Sequence, residues 1–189
     1  MHHIRKKYAK KFEADIHQEL QDLYLDKAIF KVQIKESQML QPHGCTDVQF
    51  MVSINQGQDL SLLNETASGG EISRIMLAIK TTILEYNSID TIIFDEIDTG
   101  VSGKVATKIG EKMKKTASKK QVICITHLPQ VAALADYHYC IEKKSTDDET
   151  ITSIHLLDSN QKIIEIAKML SGETMTQEAI ANAKKLLDA

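Results

Sequence analysis

Little in this chain would staple it or embed it in a membrane. Its 189 residues include three cysteines, Cys45, Cys124 and Cys140, far apart, odd in number and without CxxC spacing. That pattern argues against a disulfide scaffold or a zinc site and for reduced thiols in a cytoplasmic protein. Cys124 and Cys140 lie inside apolar runs and read as core filler. No apolar stretch reaches about 18 residues, so no membrane span is expected. The opening MHHIRKKYAKK is basic, but no apolar region follows it, so it does not read as a secretory signal. There is no internal repeat and no low-complexity linker. Formal net charge is only −3, which gives no global pull toward nucleic acid.

What is present suits one good-sized domain, or one with an appendage. Hydrophobic content of 42% and charged content of 26% are ordinary for a soluble globular protein with a real core. The basic residues are clustered: Arg5, Lys6, Lys7, Lys10 and Lys11 in one group, Lys112, Lys114, Lys115, Lys119 and Lys120 in another. Two solvated helix faces explain them, and so would local contact with DNA phosphates. The second group is expected to face solvent on or just after one helix.

Ile4, Tyr8, Phe12, Ile16, Leu20 and Leu23 recur at helical spacing over about 4–25, without a convincing N-cap. Alternation predicts strands at 28–35 and 48–54 around the turn chemistry of QPHGCTD (41–47), an antiparallel pair. A polar loop (55–61) precedes a helix expected over 71–86. TIIF (91–94) and QVICIT (121–126) are nearly continuous apolar runs flanking a helix at about 103–117, the pattern of buried parallel strands. A short helix at 128–135, a strand pair at 137–144 and 150–157 around STDDE, and helices at about 160–170 and 175–187 complete the chain.

Three stretches carry chemistry. TIIFDEIDTG (91–100) drives an apolar strand into Asp95-Glu96, where α/β folds place ligand chemistry. An Asp at such a tip can hold Mg²⁺, and a neighbouring carboxylate can orient or deprotonate water. Chance pairs of this kind also occur. CITHLP (124–129) ends a second strand near His127, which could donate to a phosphate oxygen or simply cap the helix after it. In SGGE (68–71) two glycines without Cβ let an anion approach backbone amides at a helix N-terminus, and Ser68 adds a hydroxyl that could also cap the helix. Alone, that stretch fits a plain N-cap as well.

In this order and at these spacings, the three together resemble the C-terminal lobe of an ABC-type ATPase head, on its SMC-like branch. The wording SGGEISRIMLAIK, IIFDEIDTGVSGKVA and ICITHLPQVAALAD is similar to the RecN family of bacterial SMC-like DNA double-strand-break repair ATPases. The likeness runs over roughly 5–187 and is densest from 66 to 136. It implies an α/β fold: a mostly parallel sheet flanked by helices, with an antiparallel strand pair and a leading helix derived from a coiled coil. Residues 1–26 would be the end of a coiled-coil arm, and 27–189 the lobe. Ser68, Gly69, Gly70 and Glu71 match the signature motif, which in this family contacts the γ-phosphate of ATP on the opposite protomer. Arg74, one turn on, is placed to support that contact. Asp95 matches the Walker B Asp that holds Mg²⁺, and Glu96 the catalytic Glu that activates water. Asp98, Thr99 and Gly100 match the loop that crosses the dimer interface, and His127 the switch histidine.

No GxxxxGK followed by Ser or Thr occurs, and TGVSGKV (99–105) does not substitute, because its glycines are too close and Val105 follows the lysine. In the family that P-loop lies in an N-terminal lobe beyond the coiled coil. The resemblance therefore implies a C-terminal fragment, inactive alone as an ATPase. Its expected cofactors are ATP and Mg²⁺. Its expected partners are its own P-loop lobe, a second head in a homodimer, and DNA through the full-length protein, in the cytoplasm at the nucleoid and with no membrane. A transporter nucleotide-binding subunit and a non-catalytic interaction module are the competing readings. The first sits poorly with the leading helix and strand pair. An intact Ser68, Asp95 and Glu96 argue against the second.

Overall fold

A computed structural model describes the chain except residues 1, 43, 67–68, 96–99, 146–148, 173–174 and 189, and the side chains of 38 and 41. It divides into two compact units, 1–101 and 102–189.

The first unit begins with α1 (His2–Asp22), followed by β1 (Ile29–Gln41), β2 (Gly44–Ser53), the short β3 (Ser61–Leu62) and a 3-10 turn at Leu63–Glu65. Then come α2 (Gly69–Tyr86) and β4 (Thr91–Asp95). The buried stripe of α1, Ile16 and Leu20, continues into Leu23, as the spacing predicts. Phe12 of α1 meets Phe30 of β1 and Phe50 of β2, with ring centroids 5.4 to 6.0 Å apart. Two α1 side chains take the place of a neighbouring strand along β1. His17 Nε2 accepts from the Phe30 amide at 3.1 Å, and Glu13 Oε1 accepts from the Val32 amide at 2.8 Å. That satisfies edge N–H groups which an open sheet edge would leave exposed.

β1 and β2 are antiparallel, as expected, but the connection is shorter than QPHGCTD suggested. The ladder keeps Lys35 opposite Asp47 and Glu36 opposite Thr46, shifts register, and closes at Gln41 opposite Gly44. Gly44, with φ of 104°, makes the tight turn, so Cys45 to Asp47 are freed to extend β2. β3 and the 3-10 turn fall where sequence reasoning expected only loop or placed nothing.

The second unit contains α3 (Gly103–Ala117), β5 (Gln121–Ile125), α4 (Pro129–Ala132), β6 (Tyr139–Ser145), β7 (Thr150–Leu156), α5 (Ser159–Ser171) and α6 (Gln177–Leu187). α3 buries Ala106, Ile109 and Met113. Its Gly110 lies against α4 and the residues after it: a Cβ there would come within 2.7 Å of Leu134 Cδ1 and 3.2 Å of the Gln130 carbonyl. α5 opens with a reciprocal capping box between Asp158 and Gln161. Ile166 and Ala167 of α5 pack with Ala179 and Ala183 of α6 and with Ala132 and Ala133 at α4. β6 and β7 pair antiparallel, Tyr139 opposite Leu156 and Ile141 opposite Ile154.

The fold class is α/β, as the sequence predicts. One expectation fails. β4 and β5 are not buried on both sides: Phe94 is fully buried, whereas Ile93 is 57% exposed, and Ile123 and Ile125 of β5 are exposed too. An apolar run records what a strand is able to bury on two faces, and here only one is covered.

Candidate functional site

The helix begins earlier than its apolar stripe suggested. α2 starts at Gly69, so Gly69, Gly70 and Glu71 form its first turn and do not precede it. The amides of that turn have no intrahelical acceptor and carry the positive end of the helix dipole. A Cβ built on Gly69 would meet nothing within 4 Å among the described residues, so the turn is open on the side where a side chain would stand. Glu71 is half-buried in the same turn. Ser68, on which the capping reading rests, lies outside the described residues.

Arg74 does not stand free. Its Nε donates to the Gly70 carbonyl at 3.2 Å and its Nη1 to the Leu23 carbonyl at 3.0 Å. Burial draws its pKa down, and the nearby Glu71 carboxylate opposes that shift.

The loop after β4 returns to this turn. A Cβ on Gly100 would sit 3.3 Å from the Gly70 amide nitrogen and 3.4 Å from its Cα, and Gly100 holds φ of +69°. Gly100 thus lies against Gly70 in the first turn of α2, a contact that spacing alone could not reveal. Asp95, the last residue of β4, is exposed at the strand tip. Glu96, Asp98 and Thr99 lie outside the described residues. Among the described residues no group of three His, Cys, Asp or Glu side chains could hold a metal ion. A single exposed carboxylate suits Mg²⁺, which keeps several waters and takes its other ligands from phosphate.

In the second unit His127 is exposed two residues beyond β5. It is not the cap of the following helix. Leu128 occupies that position without a side-chain bond, Thr126 Oγ1 accepts from the Leu128 amide at 3.0 Å, and Pro129 fills the first turn. The second basic cluster breaks up. Lys112, expected to face solvent, is only 8% exposed, because it falls on the α3 face that buries Ile109 and Met113. Lys114 pairs with Asp136, and that hydrogen bond, with the charges of Lys114 and Lys162, holds the Asp136 carboxyl below its ordinary range. Lys115 and Lys119 are exposed. In the first cluster Arg5 donates to Thr46, and Lys11 lies over the Tyr86 ring at 5.0 Å.

No family model matches the chain. It is 43% identical to the DNA repair protein RecN of Halalkalibacterium halodurans over 98% of this chain and 34% of that protein, so it spans about a third of the length of the curated relatives it matches. A solved structure described as "Structural biochemistry of ATP-driven dimerization and DNA stimulated activation of SMC ATPases" superposes with a TM-score of 0.61 at 15% identity, over 92% of this chain and all of that one. The Smc head domain with a coiled coil and joint from Pyrococcus yayanosii superposes with a TM-score of 0.66 at 17% identity, over 90% of this chain and 30% of that one. At those identities the two structures speak for the fold alone.

Proposed function

The chain belongs to the RecN family along nearly its whole length, and from that premise we propose that it is one lobe of a composite ATPase head acting in DNA double-strand-break repair. The observation that supports it is the approach of Gly100, five residues after Asp95, to Gly70 in the first turn of α2. Residues 1–26 read as the end of a coiled-coil arm and 27–189 as the lobe itself.

Each group has a role in this reading. The amides of Gly69 and Gly70, with Ser68 and Glu71, receive the γ-phosphate of ATP held on the P-loop of a second head. Asp95 would hold Mg²⁺, which would supply charge neutralisation at the phosphates. Glu96 orients the attacking water and takes its proton, His127 donates to the γ-phosphate, and Asp98 crosses to the partner head. A P-loop supplies most of the phosphate cradle, so this chain binds ATP weakly by itself and turns it over only when a P-loop lobe is added. The exposed Tyr139, Ile141, Ile154 and Leu156 on one side of the β6–β7 pair support such a lobe docking there. DNA enters through the longer protein, which acts in the cytoplasm at the nucleoid in this reading. No helix of the described residues is long and apolar enough to cross a membrane.

The test is ATP-dependent pairing. Sedimentation of this chain carrying Glu96→Gln, mixed with the P-loop lobe of its own parent protein, should show a species of twice the mass with ATP and not with ADP. A mass that ignores nucleotide while both parts are folded counts against a shared site.

A further inference from the structure

The end of α1 is built in an unusual way. The Leu25 amide reaches back to the Leu20 carbonyl at 2.9 Å and the Tyr24 amide to the Gln21 carbonyl at 3.0 Å, the paired bonds of a Schellman cap. The left-handed position of such a cap is ordinarily glycine. Here Tyr24 occupies it with φ of 58°, the only non-glycine residue with positive φ among those described. The Leu23 carbonyl, in the cap just after α1, is the one that Arg74 Nη1 takes, while Arg74 Nε holds the Gly70 carbonyl. α1 and α2 run antiparallel, and among the described contacts this is one of the rungs between them. The next are Thr81 Oγ1 donating to Glu19 at 3.1 Å and Tyr86 donating to Asp15. The outer rungs grip the second half of α2. The Arg74 rung reaches its first turn, and it does so from a left-handed cap.

We propose that Arg74 is a positioning residue that couples the C-cap of α1 to the first turn of α2, so that the end of the leading helix and the Gly69–Gly70 amides move as one body. This rests on the reading of that turn as the phosphate-contacting motif, and it deepens that reading: the site would respond to the state of the helix that enters the head. The planar guanidinium is suited to this, because it presents donors in two directions from one rigid fork, which a lysine ammonium on a flexible stem does not.

Hydrogen exchange on the whole 189-residue chain tests it without nucleotide. Tyr24→Val puts a β-branched residue where the left-handed turn disfavours it. With Arg74 present, exchange across 69–77 should rise about fivefold, the effect of losing one net hydrogen bond. In an Arg74→Ala background the same change should leave 69–77 unmoved. An equal rise in both backgrounds, or none in either while 23–28 accelerates, overturns the coupling. If Tyr24→Val does not fold, Arg74→Ala alone decides. Acceleration at both 23–28 and 69–77, with 150–171 unchanged, supports the strut, and acceleration at only one of the two overturns it. Arg74→Lys should fall between wild type and Arg74→Ala. In the complemented assay, Arg74→Ala should lower ATP turnover while the melting temperature holds. Unchanged turnover would overturn the positioning role. Failure of the wild-type mixture to turn over ATP would count against the nucleotide reading and leave the exchange result to judge the strut.

Discussion

Gly69 and Gly100 are both glycine, for different reasons, and substitution separates them. Gly69 is helical and its missing side chain points into open space. Gly69→Ala should therefore fold normally and even gain up to about 1 kcal/mol from helix propensity, while blocking the approach of a phosphate. Thermal melting together with ATP turnover in the complemented mixture checks this: stability kept or raised, turnover lowered. Gly100→Ala should do the reverse of harmless. A side chain at φ of +69° is strained and must also push on Gly70. Gly57, at φ of +88° with nothing near it, is the control for strain alone. Strain of this kind is on the order of 1–2 kcal/mol, so Gly57→Ala should lose about that much in denaturant unfolding and Gly100→Ala more. Equal losses would mean that the Gly70 contact yields freely. The identity of these glycines was legible in the sequence, but their contact was not. Nothing local in SGGE or DTG says that Gly70 and Gly100 touch, and Arg74 gave no sign of gripping Leu23, 51 positions earlier.

Individual elements were the most legible part. α3 runs from Gly103 to Ala117 as its apolar spacing predicts, and α5 and α6 follow turn residues that cap them, Asp158 and Thr176. Periodicity works there because each helix buries one stripe. It fails where pairing decides: the extended β1 and β2, the two-residue β3, and the half-covered β4 and β5 depend on partners far along the chain. The aromatic cluster under α1 shows how much one such contact carries. Phe30 is fully buried against Phe12 and Phe50. Phe30→Ala should cost about 3–5 kcal/mol, read as a fall in the unfolding midpoint, with Ile29→Ala nearby as the mild comparison. Between β6 and α5 a different effect is expected. Among the described residues, the buried Nδ1 of His138 has no hydrogen-bond partner, and burial depresses its pKa, opposed in part by Glu165 and reinforced by Lys162. Its folded pKa lies below the unfolded value of 6.5, so protonation favours unfolding. This contribution to stability is complete above 6.5 and declines as pH falls below it. His138→Gln should flatten the midpoint-against-pH curve in that window, and an unchanged slope would assign it to other groups.

At the scale of the molecule, the sequence motifs announced a nucleotide site more clearly than they announced what completes it. Both units expose apolar strand residues, Ile93 in the first and Ile141, Ile154 and Leu156 in the second. A strand written for two-sided burial cannot tell the reader which neighbour supplies the second side. Charge was similarly ambiguous. Five lysines between 112 and 120 suggested one basic face, but α3 turns Lys112 inward and Asp136 takes Lys114. If DNA is contacted here, the exposed Lys115 and Lys119 carry it. Reversing those two charges should then weaken binding and flatten its salt dependence. Unchanged binding would leave them as a solvated surface.

The central claim is that this chain holds half of an ATPase site. It is tested most directly by ATP turnover of the chain alone, and then with the P-loop lobe of its parent protein supplied in trans, each with Glu96 intact and with Glu96→Gln. Turnover should appear only in the mixture and be lost with Glu96→Gln. Equal turnover by the chain alone would contradict it.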